Sequence, residues 1–141
     1  MGRSRGGFGT KACAICDASG RALAFALLPG QGHELTCAPA LLAQALRLGP
    51  VGRVVCDRGY SSEPWRQQIR HAGAEPVAPS QPTHPPVPYS RPAYARRHRV
   101  ENLWARLKEW RAIATRYDKT AASFLGTLHL AASLDWLANG P

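Results

Sequence analysis

The sequence predicts a single α/β domain, and three observations support that fold class. Two apolar segments, TKACAIC and RALAFALL, flank a turn at residues 17–20 and predict a β-hairpin. Residues 51–56, VGRVVC, predict a short apolar strand of the buried, parallel kind. Several other segments carry apolar residues at helical spacing. Because a chain of this length can form one core, we treat residues 1–141 as one domain.

The segments around the hairpin predict a loop and a helix. Residues 2–9, GRSRGGFG, predict a loop rich in glycine and arginine. Arg3 and Arg5 in this loop could follow a phosphate backbone, whereas a solvated terminus explains the same composition equally well. After the hairpin, ELTCAPALLAQALRL predicts a helix that is closed by Gly49 and Pro50.

The strand at residues 51–56 is followed at once by Asp57, Arg58, Gly59 and Tyr60. In open α/β sheets, reactive groups gather at the carboxyl ends of strands. An aspartate in that place, beside a glycine that frees the backbone, fits a metal-binding carboxylate. An aspartate that only starts a turn is the alternative, and this stretch alone favours it.

The remaining segments predict helices on both sides of an irregular region. SEPWRQQIRHAG predicts a helix with Ser62 as N-cap and Gly73 as its stop, and AEPVAP predicts a short strand. Residues 79–92, which are dense in proline, predict a surface loop. Asp135 and His129 in the last helix are expected to be surface or capped groups. The apolar face of that helix, FLGTLHLAASLDWLA, is predicted at Phe124, Leu125, Leu128, Leu134 and Leu137.

Four polar side chains form a narrow stripe on the helix predicted for residues 94–108, YARRHRVENLWARLK. Because each helical residue turns by about 100°, Tyr94, Arg97, Glu101 and Lys108 fall within about 60° of one another. The valine, leucines and tryptophan of this segment form a separate apolar face. The stripe presents a carboxylate among two cations and a phenol. A basic amphipathic helix with one incidental glutamate is the alternative that periodicity alone favours.

The charge of the chain predicts a polyanionic partner. The formal net charge is +9 and the sequence pI is about 10.1. Residues 91–119 hold nine Lys/Arg and three Asp/Glu, so they carry +6 of that charge. Such a surplus favours nucleic acid or an anionic membrane. No apolar run is long enough to span a bilayer and the N-terminus lacks a signal-peptide core, so we expect a cytosolic protein.

The cysteines offer a weaker signal. Cys13 and Cys16 have the CxxC spacing of a zinc or redox site. Alternation along the predicted strand would place them on opposite faces, and no second CxxC or paired histidine follows. Buried, reduced thiols are the favoured interpretation, and metal or redox chemistry is the alternative.

Asp57, at the end of a predicted strand, and Glu101, on a predicted helix, are two carboxylates that lie far apart in the sequence of a predicted α/β fold. Such hard oxygen ligands hold Mg²⁺ or Mn²⁺, which also bind substrate phosphates. Two ions of this kind can stabilise the entering and leaving oxygens of a phosphodiester. The residues alone therefore indicate a metal-dependent phosphoryl-transfer enzyme that acts on nucleic acid.

The same residues resemble a known family. Tyr94, Arg97, Glu101 and Lys108 match without gaps the Y-(2)-R-(3)-E-(6)-K signature of bacterial insertion-sequence transposases of the DDE type. Residues 57–60, DRGY, resemble the D-[RK]-G-Y block around their second aspartate. GRSRGGFGTK, LLPGQGHEL and RAIATRYDKTAASFL are similar to the IS-four/IS-five-like branch, so the resemblance covers nearly the whole chain.

The resemblance implies an RNase H-like catalytic core. In such enzymes water cuts a DNA strand at the transposon end, and the freed 3′-OH attacks target DNA. Asp57 and Glu101 would be the second and third of three acidic metal ligands. The expected DNA contacts are Tyr94, Arg97 and Lys108, which match the residues that grip the transposon end, together with Arg58, Arg3, Arg5 and Lys11.

The resemblance also implies that a part of the core is missing. The first aspartate of the triad should lie on the first strand of the sheet, before GRSRGG, so the RNase H-like core is expected to lack that strand. Asp17 is the only acidic residue before Glu34, but its place in a hairpin turn does not match the triad. We expect a partial catalytic domain, from a truncated or frameshifted gene, with an incomplete two-ion Mg²⁺ (or Mn²⁺) site.

Three functions stay open at this stage. The first is a transposase that cleaves and transfers DNA strands at insertion-sequence ends only when its missing half is supplied, so whether this chain alone is an enzyme is uncertain. The second is a non-catalytic DNA-binding fragment that regulates a full-length transposase, and the third is a pseudogene product. The expected partners are double-stranded DNA, at element ends and target, and either a second copy or an upstream transposase half. The expected location is the bacterial cytoplasm, at the nucleoid.

Overall fold

The computed structural model of the chain describes residues 2–4 and 7–139, and its side chains from residue 9 onward. Contacts divide the chain into two compact units. Unit 1 contains Met1–His33 and Arg99–Pro141, and unit 2 contains Glu34–His98. The strands are β1 (Gly2–Ser4), β2 (Gly7–Cys16), β3 (Ala22–Pro29), β4 (Arg53–Val55) and β5 (Glu75–Val77). The helices are α1 (Ala38–Leu48), α2 (Glu63–His71), α3 (Arg91–Ala95), α4 (His98–Lys108), α5 (Arg111–Thr115) and α6 (Ala121–Ala138).

Unit 1 contains an antiparallel sheet in the order β1-β2-β3. The predicted hairpin is confirmed: β2 and β3 pair from Thr10 with Pro29 to Cys16 with Ala22. The loop predicted for residues 2–9 is wrong, because strand β1 pairs antiparallel with the start of β2, from Gly2 with Gly9 to Ser4 with Gly7. Glycine-rich backbone can still complete a ladder when a neighbouring strand supplies the hydrogen-bond partners.

The core of unit 1 lies between the hairpin and the last helices. Leu103 and Leu107 of α4 and Leu128 of α6 are fully buried. The predicted apolar face of α6 is only partly correct, because Leu134 is 39% and Leu137 is 81% exposed. Apolar residues occur all around α6, so periodicity did not define one face. The buried cluster consists of Ala22, Phe25, Leu103, Leu107, Ile113, Phe124, Leu128, Ala131 and Ala132.

An ion pair connects α4 with α6 and with the hairpin turn. The guanidinium of Arg106 donates to both carboxylate oxygens of Asp135, at 2.7 and 3.0 Å, and to the carbonyl oxygen of Gly20 at 2.8 Å. Asp135 was expected to be a surface or capped group, and it is the second: its side chain is only 7% exposed and is bonded to Arg106. A buried carboxylate requires a partner, and Arg106 supplies it. The hydrogen bonds that Arg106 donates to Asp135 raise the pKa of Arg106.

Unit 2 contains a parallel pair of strands, β4 and β5. Helices α1 and α2 contribute Leu42, Trp65 and Ile69 to its core, where Val54 of β4 is also buried. The helix predicted from residue 34 begins later, at Ala38, and a separate 3-10 turn spans Glu34–Thr36. Pro39 in the first turn explains the later start, since a proline is tolerated where its missing N–H needs no partner.

Helix α2 begins and ends as predicted, with one difference. Ser62 occupies the N-cap position, but its side chain makes no capping hydrogen bond. Gly73 has a φ of 79°, a backbone conformation that side chains disfavour, and it ends the helix. The α/β class is therefore confirmed by helices and strands in both units, and none of the described helices is long and apolar enough to cross a membrane.

Candidate active site

Asp57 lies two residues beyond the last residue of strand β4, Val55, at the carboxyl end of the parallel pair. The amide of Cys56 donates to the carbonyl of Val77 at 2.9 Å and closes the ladder just before Asp57. The half-buried Asp57 then caps a 3-10 turn, Arg58–Tyr60. Its Oδ1 accepts from the amide of Gly59 at 2.8 Å. No other residue in the described part of the chain donates to this carboxylate, so its second oxygen retains its acceptor capacity.

Gly59 holds the carboxylate of Asp57 at close range. A Cβ added to Gly59 would lie 3.0 Å from Oδ1 of Asp57. A side chain at this position would therefore push the carboxylate out of its present direction. The glycine of the DRGY segment is needed here for space beside an oxygen, as well as for the turn.

Arg66 lies buried at the same end of the strand pair. Its side chain is 1% exposed, and it belongs to α2. Nε donates to the carbonyl of Ser61 at 3.3 Å, and Nη2 donates to the carbonyl of Ala78 at 2.7 Å. Ser61 ends the turn that Asp57 begins, and Ala78 follows β5. The third nitrogen, Nη1, has no hydrogen-bond partner within the described part of the chain.

The thiol of Cys56 is suited to a structural role and not to the role of a nucleophile. Burial raises the pKa of the Cys56 thiol to about 11, and the nearby carboxylate of Asp57 adds to this increase. The indole of Trp65 and the charge of Arg66 lower the pKa by less. A thiol with so high a pKa carries little thiolate near neutral pH. Burial likewise raises the pKa of Cys16, and all four cysteines are free thiols.

The single helix predicted for residues 94–108 is wrong, because the chain forms two helices there. Tyr94 lies in α3, Arg97 in the connecting turn, and Glu101 and Lys108 in α4. The amide of Arg97 donates to the carbonyl of Tyr94 at 2.9 Å, three residues back, which tightens the backbone as in a 3-10 turn. The ring of His98 bonds to the carbonyl of Ala95 at 2.6 Å and occupies an acceptor at the end of α3.

Tyr94 belongs to an aromatic and cationic group within unit 2. Its ring contacts the ring of Tyr89 edge-on, with centroids 5.4 Å apart. The guanidinium carbon of Arg97 lies 5.9 Å from the centroid of the Tyr94 ring. Tyr89 comes from the proline-dense loop at residues 79–92, which has no regular secondary structure before α3 begins at Arg91. A planar cation and a phenol are groups that suit contact with a polyanion, and the DNA contact of Tyr94 and Arg97 stays a prediction.

Glu101 and Lys108 are exposed on the same helix, α4, two turns apart. Seven residues correspond to about 700° of rotation, so both side chains project from the same side. Leu103 and Leu107 on another side are fully buried. A carboxylate in the first turn and a cation in the last turn suit the helix dipole. This half of the predicted polar stripe is present in the structure.

Asp17 serves the hairpin turn. Its oxygens accept from the amide of Ser19 at 2.8 Å and from the amide and Nε of Arg21, each at 2.9 Å. Burial alone would raise the pKa of Asp17, but the hydrogen bonds from Arg21 and Ser19 and the charge of Arg21 outweigh it, so the pKa lies below its usual value. A carboxylate with all these partners is a structural group.

The other expected DNA contacts are placed unequally. Arg58 is exposed beside Asp57. Lys11 is half-buried in β2, where its Nζ donates to the carbonyl of Gly32 at 3.1 Å. The backbone of Arg3 lies in β1, but its side chain and the whole of Arg5 fall outside the described residues.

The carboxylates fit a divalent ion in type but not in number. Asp57 and Glu101 supply the hard oxygen ligands that Mg²⁺ and Mn²⁺ prefer. Among residues 2–4 and 7–139, no group of three or more His, Cys, Asp or Glu side chains is arranged to hold a metal ion. Asp57 lies in unit 2 and Glu101 in unit 1, so their closeness stays a prediction.

Comparison with known proteins decides the family. The family model described as a transposase DDE domain matches residues 2–136. The chain belongs to the DDE transposase family. A curated relative from Brucella ovis, described as a putative transposase for insertion sequence element IS6501, is 31% identical over 132 residues. That match covers 91% of this chain and 98% of the relative, whereas no solved structure matches the chain.

Membership confirms the resemblance that the sequence motifs carried. Members of the DDE transposase family act in DNA transposition, and they generally use divalent metal ions. Sequence reasoning missed two residues. Arg66 contacts the turn that begins at Asp57, and Tyr89 contacts Tyr94. Arg66 precedes the buried Ile69 by three residues, so a cation on the apolar face of α2 was the available signal. No comparable signal identified Tyr89.

Proposed function

We propose that this chain supplies two of the metal-binding carboxylates and part of the DNA-binding surface of an insertion-sequence transposase. The fold proposed for it is the RNase H-like core of the family, without the first strand. Asp57 and Glu101 would hold Mg²⁺ or Mn²⁺, which when bound neutralises charge at the entering and leaving oxygens of a phosphodiester. We assign no residue of this chain as the third carboxylate.

The geometry around Asp57 is the observation that supports this proposal most strongly. The carboxylate lies at the carboxyl end of a parallel strand, where α/β sheets commonly place reactive groups. One oxygen is fixed by the amide of Gly59, and the other has no donor among the described residues. A carboxylate that is held in direction and still has acceptor capacity is suited to a hard cation.

The cations of the chain would orient the DNA. Arg97 and Tyr94 form one contact group in unit 2, and Lys108 is exposed on α4 in unit 1. Arg58 is exposed next to Asp57, where a phosphate close to the metal would lie. Guanidinium groups donate two parallel hydrogen bonds to a phosphate, and lysine acts as a point charge.

Strand transfer on family-type transposon ends with Mg²⁺ tests the catalytic proposal. The assay compares the chain alone, the chain with the upstream segment supplied in trans, and the same mixture with Asp57→Asn or Glu101→Gln. We expect joined product only from the complemented wild-type chain. Robust product from the chain alone, abolished by Glu101→Gln, would show that another acid completes the site. Product that survives both substitutions would remove Asp57 and Glu101 from the mechanism.

A non-catalytic DNA-binding fragment is the second candidate function. The absence of a three-ligand cluster in the described ranges supports it, as does the charge of +6 on residues 91–119. Double-stranded DNA should then bind with little sequence preference, and each phosphate contact should contribute about 0.9 to the log–log salt slope. Replacing Arg97 and Lys108 by glutamine should flatten the slope, whereas salt-independent binding would contradict an electrostatic interface. A chain that binds DNA but stays inactive when complemented would favour this second function.

A further inference from the structure

We propose that Arg66 is a positioning residue for Asp57: it connects the end of the Asp57 turn to the end of β5 and so fixes the direction of the carboxylate. The inference rests on the proposed role of Asp57. Arg66 is buried and lies outside the DRGY and Y-(2)-R-(3)-E-(6)-K signatures.

The contacts of Arg66 lead from the sheet to the turn. Nη2 donates to the carbonyl of Ala78, which follows β5, at 2.7 Å, and Nε donates to the carbonyl of Ser61 at 3.3 Å. The turn between Asp57 and Ser61 is closed by two further backbone bonds: Tyr60 N to Asp57 O, and Ser61 N to Arg58 O, both 3.2 Å. Both backbone bonds join residues that are three positions apart, so the turn is tightly closed. A shift of Ser61 is therefore transmitted to Asp57.

The burial of Arg66 argues against a role in charge balance. At 1% exposure, the guanidinium has lost its water, and it forms no ion pair with any described carboxylate. Neighbouring Arg70, one turn further along α2, is 47% exposed and pairs with Glu63 at 2.8 Å. An arginine whose only role was to keep the surface of the helix polar would be exposed and paired with a carboxylate, as Arg70 is. The planar fork of Arg66 instead reaches two carbonyls that belong to different segments, which a lysine cannot do with the same geometry.

One nitrogen of Arg66 is left without a partner, and this also points to positioning. Nη1 has no hydrogen-bond partner among the residues that the structure describes, so the residue carries a buried polar group that burial penalises. An apolar side chain of similar length would fill the space without that penalty. The presence of an arginine here is therefore explained by its two bonded nitrogens, which hold the carbonyls of Ser61 and Ala78 in place.

Amide hydrogen exchange of the full chain, measured by NMR, tests the proposal. The variants are Arg66→Met, which keeps the volume, and Arg66→Lys, which keeps the charge; Arg70→Met is the matched control on the same helix. The informative amides are those of Gly59, Tyr60 and Ser61. The reference amides are those of Cys56 and Glu75, which bond across the β4–β5 pair.

We expect exchange at the turn amides to accelerate about tenfold in Arg66→Met, and clearly in Arg66→Lys, while the reference amides and the Arg70→Met variant stay at wild-type rates. Equal acceleration at turn and reference amides would reduce Arg66 to a packing role and overturn the proposal. Unchanged turn amides, or full protection in Arg66→Lys, would overturn it as well. If Arg66→Met does not fold, Arg66→Lys decides.

Broadening of the Gly59 amide signal by added Mn²⁺, recorded on the same samples, separates this proposal from the proposed function. Broadening in the wild type that Asp57→Asn removes supports a metal-binding Asp57. Its absence would contradict that role but would leave the exchange result intact. A weaker broadening in Arg66→Lys, with Arg70→Met unaffected, is the outcome that joins the two proposals.

Discussion

Two turns of this chain are built alike and differ in how their charges are neutralised. Each begins with an aspartate that accepts from the amide two residues on: Asp17 from Ser19 and Asp57 from Gly59, both at 2.8 Å. In each turn, a carbonyl near the end accepts a hydrogen bond from an arginine side chain. Arg106 donates to the carbonyl of Gly20 in unit 1, and Arg66 donates to the carbonyl of Ser61 in unit 2. The same local device therefore serves both turns.

The charges separate the two turns. In the hairpin turn, Asp17 pairs with Arg21 at 2.8 Å, and Arg106 pairs with Asp135 at 2.7 Å. In the turn after β4, among the residues that the structure describes, Asp57 accepts only from the amide of Gly59, and Arg66 donates only to carbonyls. Fully paired charges stabilise a fold, whereas incompletely paired ones mark a functional candidate. The comparison therefore assigns a structural role to Asp17 and keeps Asp57 as the candidate.

The largest effect is expected from Arg106→Met. The substitution removes the partner of the Asp135 carboxylate, which is 7% exposed, and the hydrogen bond to the hairpin turn. The free energy of unfolding should fall by about 2–4 kcal/mol, measured by urea denaturation. In the double variant with Asp135→Asn, the free energy of unfolding should fall by less than the sum for the two single variants, because no unpaired charge is left buried. Strict additivity would show that the two groups do not act as a pair.

Asp17→Asn should reduce the free energy of unfolding by about 1 kcal/mol at neutral pH, because the charge on Arg21 loses its partner. The low pKa of Asp17 also sets a pH dependence. The unfolded chain binds a proton more readily, so the pair contributes stability above the ordinary carboxyl pKa that is lost as the pH falls through the folded value. Urea denaturation at about pH 7 and pH 3 should show a smaller acid loss in Asp17→Asn than in wild type. Equal losses would mean that Asp17 does not contribute.

Gly59→Ala tests how closely the second turn surrounds its carboxylate. The new Cβ would lie 3.0 Å from Oδ1 of Asp57, whereas a Cβ at Gly52 would meet no atom within 4 Å. Gly52→Ala should be neutral or slightly stabilising, and Gly59→Ala should be about 0.5 kcal/mol less stable than that control. Thermal denaturation of both variants measures the difference. Identical stabilities would show that the carboxylate moves aside without cost.

The smallest effect on stability is expected from Asp57→Asn. An asparagine still accepts the hydrogen bond from Gly59, and no cation in the described chain loses a partner. The free energy of unfolding should change by less than about 0.5 kcal/mol, well below the change for the matched Asp17→Asn, while strand transfer by the complemented enzyme is lost. If Asp57→Asn destabilises the chain as much as Asp17→Asn, the distinction between the two turns fails.

The sequence revealed local structure more reliably than long-range pairing. The hairpin, the parallel strand before Asp57 and the glycine stop of α2 all follow from short-range rules, and each is present. The break between α3 and α4 is an exception, because it was missed although its contacts are local: the ring of His98 bonds to the carbonyl of Ala95, three residues back. The burial of Asp135 was missed as well, because its partner Arg106 lies 29 residues earlier in the chain.

The candidate residues themselves followed from motif spacing, but their differences in pairing did not. Both Asp17 and Asp57 begin turns in the sequence, and only the three-dimensional contacts show that one is saturated with donors and the other is not. The position of Arg66 on helix α2 could be noticed in the sequence, but its hydrogen-bond partners could not be identified there. A cation on the apolar side of a helix is unusual, but the carbonyls that it reaches lie in two other segments.

Paramagnetic broadening by Mn²⁺ tests most directly whether Asp57 and Glu101 serve one metal site. Amide signals of residues 57–60 and of residues around Glu101 are recorded during a titration with Mn²⁺, for wild type, Asp57→Asn and Glu101→Gln. We predict that both groups of signals broaden at the same Mn²⁺ concentration and that either substitution weakens the broadening of both, since paired carboxylates share the ion. Broadening of each group that depends only on its own carboxylate would contradict a shared site.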